Sequence, residues 1–463
     1  MYTEGFKYDS LYFIGAGGIG MAALERYFLA KGMRVAGYDR TRTALTDELE
    51  REGVEICYDE SAKLIPAYCT DPRNTLVVYT PAIPESHEGL QYFRTHNFNI
   101  LKRAQLLGII TRNSHGLCFS GTHGKTTTSS MAAHILHCSP IGCNAFLGGI
   151  LRNYNSNFLL DADSDYTVIE ADEFDRSFHH LTPYMAVVTA TDPDHLDIYG
   201  TEEAYLESFA RFTELVRPDG ALIVHTGLKL KPRPANGVRV YSYSRDEGDF
   251  HATNVRKGNG EITFDFVSAD GHVITDISLG VPVDINIENA VAAMAVCSLV
   301  GVDDDTMRHA MATFGGAKRR FEFWLKQPGD NGKVVIDDYA HHPDELKASI
   351  RSVRDLYQGR KLTVIFQPHL YSRTRDFAPQ FAQALSLADD VILLDIYPAR
   401  EEPLPGVTSE IIYREIECPH KMLCTKQELL DVAKRHEFDV LLTAGAGDIC
   451  NFLPEICEII ERK

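Results

Sequence analysis

A short apolar run, a glycine-rich turn and an amphipathic stretch follow one another twice early in the chain. The first instance is "LYFIGAGGIGMAALERYFLAKG" from Leu11, and the second is "GLCFSGTHGKTTTSSMAAHIL" from Gly116. Each reads as strand, turn and helix. A parallel strand pair needs a helix-length crossover, so repeated units of this kind commit a chain to parallel sheets flanked by helices. "RVAGYD" and "TLVVYTPAI" add strands to the first unit, and "YTVIEADEFD" and "MAVVTATDPDHLD" add strands to the second. From Leu222 to Asp284 the texture changes to polar–apolar alternation, which predicts an antiparallel, half-exposed sheet built into the second unit. "NIENAVAAMAVCSLVG" predicts a helix closed by Gly301. After "GGAKRRFEFW", four further strand-like runs alternate with helical patterns: "KVVIDD", "KLTVIFQPH", "DDVILLDIY" and "DVLLTAGAGD".

The reading is therefore α/β with three domains, at 1–109, 110–320 and 321–463. A length of 463 residues suits two to four cores. With 46 basic against 65 acidic residues the net charge is −19, which argues against nucleic acid or anionic membrane as a general partner. The ten cysteines include no C-x-x-C pair, and neither an apolar leader nor a membrane-length apolar run is present. A cytoplasmic protein with reduced thiols is expected.

The glycine turns carry the chemistry. Gly15, Gly17 and Gly20 form G-x-G-x-x-G after a strand, with Asp39 closing the next strand. Such glycines let a diphosphate approach a helix N-terminus while the acid reaches a ribose, whether of NAD or of a sugar nucleotide. In "GTHGKTTT", Gly121, Thr122, His123, Gly124, Lys125, Thr126 and Thr127 would cradle phosphates, with Lys125 bridging them and the Thr126 hydroxyl on Mg²⁺. Ligands of open parallel sheets sit at the carboxyl ends of strands. That places Glu170, at the end of "TVI", as a metal carboxylate. Asp172 and Glu173 read equally well as solvated, helix-capping acids. At the end of the next strand Asp192, Asp194, His195 and Asp197 cluster, and His195 is a candidate second metal ligand. Lys318, Arg319 and Arg320 form a cationic cluster suited to clamp a γ-phosphate. Asp338, Tyr339, His341, His369, Arg373 and Arg375 follow strands of the third unit, a set suited to ribose, carboxylate and phosphate.

Taken in order, "GTHGKTTT", "EADEFDRSF", "DPDHLDIY", "FGGAKRRFE", "DDYAHHPDEL", "QPHLYSRTRDF", "DIYPAREEP" and "AGAGD" resemble the Mur ligases of peptidoglycan synthesis, over about Leu11 to Asp448. The resemblance implies a UDP-binding Rossmann-like domain, a central P-loop ATPase domain and a C-terminal Rossmann-like domain. It implies ATP and Mg²⁺ as cofactors and joining of L-alanine to the carboxylate of UDP-N-acetylmuramate, by a monomer or homodimer. A relative adding another amino acid or a recycled peptide is the alternative. By the same resemblance Gly15, Gly17, Gly18 and Gly20 would lie on the UDP diphosphate, and Asp39 with Thr80, Pro81 and Ala82 near the uridine. Lys125 would hold ATP, Thr126 and Glu170 one Mg²⁺, and His195 a second. Asn289 would meet the adenine, Arg320 the γ-phosphate, and Asp338, Tyr339 and His341 the nucleotide and amino acid. His369 and Arg373 would face the sugar nucleotide. The chain departs from the family at Leu370, where arginine is common, and at Ile285, where histidine is common. "YLESFARFTELV" lacks the lysine that some relatives carbamylate.

Overall fold

The computed structural model describes residues 7–80, 83–194, 196–258, 260–329, 331–399 and 401–463. Its first sheet comprises β1 (Ser10–Ile14), β2 (Arg34–Tyr38), β3 (Glu55–Cys57), β4 (Thr75–Tyr79) and β5 (Asn99–Lys102), in the order β3-β2-β1-β4-β5. All neighbours pair in parallel. β1 is buried throughout, as its uninterrupted apolar run requires of a strand covered on both faces. The chain leaves β1 toward β2 and returns to β4 on its other side. The crevice at this reversal receives Gly15–Gly20 and Thr80.

The second sheet holds β6 (His115–Ser120), β7 (Asn144–Leu151), β8 (Ser156–Leu159), β9 (Tyr166–Glu170), β10 (Met185–Val188), β11 (Ala221–His225) and β12 (Arg239–Tyr243). Its order is β12-β11-β10-β6-β9-β7-β8, and only β7 with β8 is antiparallel. β6 is flanked by β9 and β10, so the loop after it opens between Glu170 and the segment following Val188. β13 (His251–Gly258), β14 (Glu261–Val267) and β15 (Val273–Ser278) form a separate three-stranded sheet. Connections this short permit only antiparallel hairpins, and the burial of β14 alternates as a half-exposed strand should.

The antiparallel expectation for 222–284 therefore holds from His251 onward and fails before it. β11 and β12 are parallel members of the second sheet. β12 is half exposed because it lies at an edge, and an edge strand alternates whichever way it pairs.

The fourth sheet contains β16 (Glu322–Lys326), β17 (Val334–Asp338), β18 (Leu362–Phe366), β19 (Asp390–Leu394), β20 (His420–Cys424) and β21 (Val440–Ala444), ordered β16-β17-β21-β18-β19-β20. β16 runs antiparallel to β17 and the rest are parallel. The edge strands β16 and β20 are the two that the apolar pattern did not announce. By contacts the chain forms two compact units. One runs to Ala252 and adds Phe266–Ile274 and Glu288–Ala310; the other holds Thr253–Asp265, Thr275–Ile287 and Met311–Lys463. Among the described residues no helix is long and apolar enough to cross a membrane.

Candidate active site

The loop after β6 takes its form from two glycines. Gly121 has φ +143°, and a Cβ there would lie 2.1 Å from the Thr189 hydroxyl and 2.7 Å from the Ala190 nitrogen. Gly124 has φ +84° and caps the helix Lys125–Cys138, which carries no acidic residue in its first turn. Only glycine enters this backbone region without strain. The loop is pinned to the strand end beside it. Thr122 donates its N–H to Ala190 O (3.0 Å) and its hydroxyl to Asp192 O (2.7 Å). Thr189 donates to the carbonyl of His123, whose side chain is exposed. The helix thus presents an uncompensated positive end, ready for phosphate.

Two carboxylates serve the loop in different ways. Thr126 Oγ1 donates to Glu170 Oε1 (3.1 Å), and Gly148 N donates to Glu170 Oε2 (2.9 Å). Burial pushes the Glu170 carboxyl above its ordinary range, against the pull of Thr126 and Lys125. A carboxylate so placed gains from a cation. The donors are hard oxygens, which suit Mg²⁺. Among the described residues no group of three or more His, Cys, Asp or Glu side chains is arranged to hold a metal. A metal at Thr126 and Glu170 would therefore draw further oxygens from phosphate and water, as Mg²⁺ commonly does.

The second carboxylate is Glu173, which is 1% exposed and accepts from Lys125 Nζ at 2.8 Å. Lys125 also donates to Gly121 O (2.6 Å). The reading of Glu173 as a solvated acid is thus corrected. The chain turns inward after Ala171, burying one of two adjacent acids that a sequence cannot tell apart. Asp172 remains half-buried, and Thr127 is half-buried in the helix. Asn289 packs under the loop: its Oδ1 accepts from Thr128 Oγ1 (3.1 Å) and lies 2.8 Å from where a Cβ of Gly124 would be.

At the first glycine turn Gly15 has φ +93°, and Thr80 Cγ2 occupies the place of its missing side chain, 2.3 Å from an ideal Cβ. Gly17 donates its N–H to Asp39 Oδ2 (2.7 Å), while Asp39 Oδ1 accepts from Thr41 N (3.0 Å). Asp39 therefore braces the glycine turn itself. Gly18 caps the helix Ile19–Ala30 and is exposed. Gly20 faces the Arg103 guanidinium. A cavity of about 240 Å³ is lined by Gly20, Arg103, Leu107, Leu147, Gly148, Glu170 and Asp172. Its lining brings Gly20, the last glycine of the first motif, together with the carboxylate that Thr126 engages.

In the C-terminal unit the expected residues gather at the carboxyl ends of β17 and β18. Asp338 accepts from the Ser349 hydroxyl and, at 3.4 Å, from Phe321 N; burial raises its pKa. His341 Nδ1 lies 3.0 Å from Tyr339 O and 3.3 Å from Glu345 Oε2. Arg373 Nη1 lies 3.5 Å from His369 Nδ1, and the His341 and His369 rings stand 6.2 Å apart. Burial, then the neighbouring Arg373, lowers the His369 pKa, and burial lowers that of His341. Arg319 has φ +59° and stacks on the Tyr339 ring at 4.7 Å, with Asp337 at 3.6 Å. Arg320, next in the chain, is exposed. Arg375 pairs with Asp376 on the surface. Pro81, Ala82 and His195 lie outside the described residues.

Motif reading missed Arg103 and Gly148, and with them the pairing of Glu173 with Lys125. Only Glu173 had a signal, as the last of the three acids in "EADE".

Three family models match the chain in succession. They are the Mur ligase family catalytic domain over residues 10–115, the Mur ligase middle domain over 119–297, and the Mur ligase glutamate ligase domain over 319–447. A UDP-N-acetylmuramate–L-alanine ligase from Phocaeicola vulgatus is 59% identical over 456 residues, 98% of each chain. One of the same description from Parabacteroides distasonis is 59% identical over 99% of this chain and 98% of its own. The crystal structure of UDP-N-acetylmuramate–alanine ligase from Thermotoga maritima superposes with a TM-score of 0.76 at 25% identity, covering 98% of both chains. A murein peptide ligase from Psychrobacter arcticus shares the fold, with a TM-score of 0.60 at 22% identity over 98% of this chain and 99% of its own.

Proposed function

The chain belongs to the Mur ligase family, and from that premise we propose how its residues carry out the family's chemistry. It is an ATP-dependent ligase that joins L-alanine to the carboxylate of UDP-N-acetylmuramate in peptidoglycan precursor synthesis. The observation that carries the residue-level reading is the cavity between Gly20 and Glu170. A substrate held in a cavity lined by both would keep its diphosphate at the first glycine turn while its acid reaches the phosphate loop.

In this reading Gly121–Thr127 receive the phosphates of ATP through backbone N–H groups, and Lys125 neutralises the oxygens that gain charge during transfer. Thr126 and Glu170 hold Mg²⁺, which when bound shields the crowded phosphate and carboxylate oxygens. A muramoyl carboxylate oxygen attacks the γ-phosphorus, ADP departs, and an acyl phosphate remains. The alanine amine then attacks the acyl carbon, and phosphate leaves as the amide forms. Asn289 meets the adenine, a role its place beside Gly124 and Thr128 supports. Arg320 and Asp338 serve the γ-phosphate and nucleotide, Tyr339 and His341 the amino acid, and His369 and Arg373 the sugar nucleotide. His195, Pro81 and Ala82 keep the metal and uridine roles that the family pattern implies. The boundaries 109/110 and 320/321 separate the three domains, and the reaction takes place in the cytoplasm.

Phosphate release with UDP-N-acetylmuramate against a panel of amino acids and peptides tests the substrate assignment. L-alanine should be preferred, and preference for a peptide would replace this reading with that of a recycling ligase. Lys125→Ala should lower turnover by about 10³-fold with binding of the sugar nucleotide intact. Mg²⁺ titration of Glu170→Ala should show a raised metal requirement, and an unchanged one would remove Glu170 from the metal site.

A further inference from the structure

We infer that Arg103 is the side chain that holds the sugar-bearing phosphate of the nucleotide substrate, an assignment that rests on the reading of the cavity given above. No motif includes Arg103. It stands in "NILKRAQLLG" and opens the helix Arg103–Arg112. Its guanidinium lies over the start of the helix Ile19–Ala30, with Nη1 2.7 Å and Cζ 3.2 Å from where a Cβ on Gly20 would be. The third glycine of G-x-G-x-x-G usually serves close helix–strand packing. Here its bareness makes room for an arginine.

Three observations point from this arginine to an anion. The first is its lack of a partner. Lys102 beside it pairs with Asp175 (3.6 Å), and Arg26 on the facing helix pairs with Glu48 and Glu52. Arg103 is half-buried, yet among the described residues no hydrogen bond or ion pair engages its guanidinium. The second is its place. It sits at the positive end of its own helix and against that of the helix Ile19–Ala30, and neither has an acid in its first turn. A cation there is disfavoured unless an anion joins it. The third is the cavity, whose lining brings Arg103 together with Glu170 and Asp172. A ligand with two anionic groups fits a lining of one cation and two carboxylates once a metal joins the carboxylates. The guanidinium fork matches two oxygens of one phosphate. Since Arg103 shares its cavity with Glu170, the carboxylate that Thr126 engages at the phosphate loop, the phosphate it meets is the one bonded to the sugar.

Titration calorimetry on the full chain tests this with UDP-N-acetylmuramate, UDP and UMP as probes. Arg103→Met keeps the aliphatic stem and removes the charge. It should weaken UDP-N-acetylmuramate and UDP by roughly ten- to a hundredfold and leave UMP within about threefold, the usual scale of one charge-assisted contact. Arg103→Lys should recover part of the loss, and the melting temperature and the KM for ATP should stay at the wild-type values. Undiminished UDP binding with weakened UDP-N-acetylmuramate would overturn the assignment, because Arg103 would then read the carboxylate of the sugar. Equal loss for UMP would overturn it as well, making Arg103 a support of the turn. A wild-type chain that fails to bind UDP-N-acetylmuramate at all would instead sink the underlying functional reading.

Discussion

Replacing Glu173 by glutamine removes the charge facing Lys125 and keeps the shape of the side chain. The pair is tightly enclosed, with Lys125 15% and Glu173 1% exposed and 2.8 Å between Nζ and Oε1. Stranding one member of a buried pair commonly costs about 3–5 kcal/mol. Here the loss is smaller, because the amide still offers an acceptor and Lys125 keeps its bond to Gly121 O. A fall in stability of about 1–2 kcal/mol is expected for the protein without nucleotide. Catalysis should respond differently from binding. With ATP present, the phosphates compensate the ammonium, and the neutral glutamine repels them less than the carboxylate does. The KM for ATP should be unchanged or lower. Turnover should still fall roughly ten- to a hundredfold, because the lysine is less firmly aimed at the reacting oxygens. Coupled phosphate-release kinetics at varied ATP measure both quantities. Turnover within twofold of wild type would refute the positioning role. A loss matching that of Lys125→Ala, with a raised KM for ATP, would mean that Glu173 acts on the nucleotide directly.

Gly148→Ala would place a Cβ 2.4 Å from both Glu170 carboxylate oxygens; activity should fall at least tenfold and need more Mg²⁺, measured by metal titration. Burial raises the Asp337 carboxyl from 3.8 to about 6, so its stabilising contribution is complete below pH 3.8 and lost as pH rises through 6. Relative to wild type, Asp337→Asn should therefore gain roughly 1–3 kcal/mol between pH 4 and pH 7.5 in denaturant unfolding, and parallel curves would contradict this. Leu370 has φ +70°, so Leu370→Gly should stabilise the fold by about 1 kcal/mol in the same assay, whereas Leu370→Arg should be neutral. Arg373→Ala should raise the KM for UDP-N-acetylmuramate by about ten- to a hundredfold with that for ATP little changed; an effect on ATP alone would place this loop on the other substrate.

The sequence alone determined whatever depends on neighbours along the chain. Apolar runs broken by glycine and followed by a helical pattern specify β1 and β6 with their turns, because burial on both faces and a positive φ are local demands. The same locality made Lys125, Thr126 and Glu170 legible, since each lies at the end of a strand or the start of a helix. Tertiary structure decided what depends on residues far apart. Glu173 reaches Lys125 across 48 positions, Gly148 meets Glu170 across 22, and Arg103 finds Gly20 only because two helices converge. The direction in which β12 pairs was likewise settled by its neighbour, β11. An exposed edge looks alike in parallel and antiparallel company, and an acid or arginine acquires a role only from the charge and space that folding sets against it.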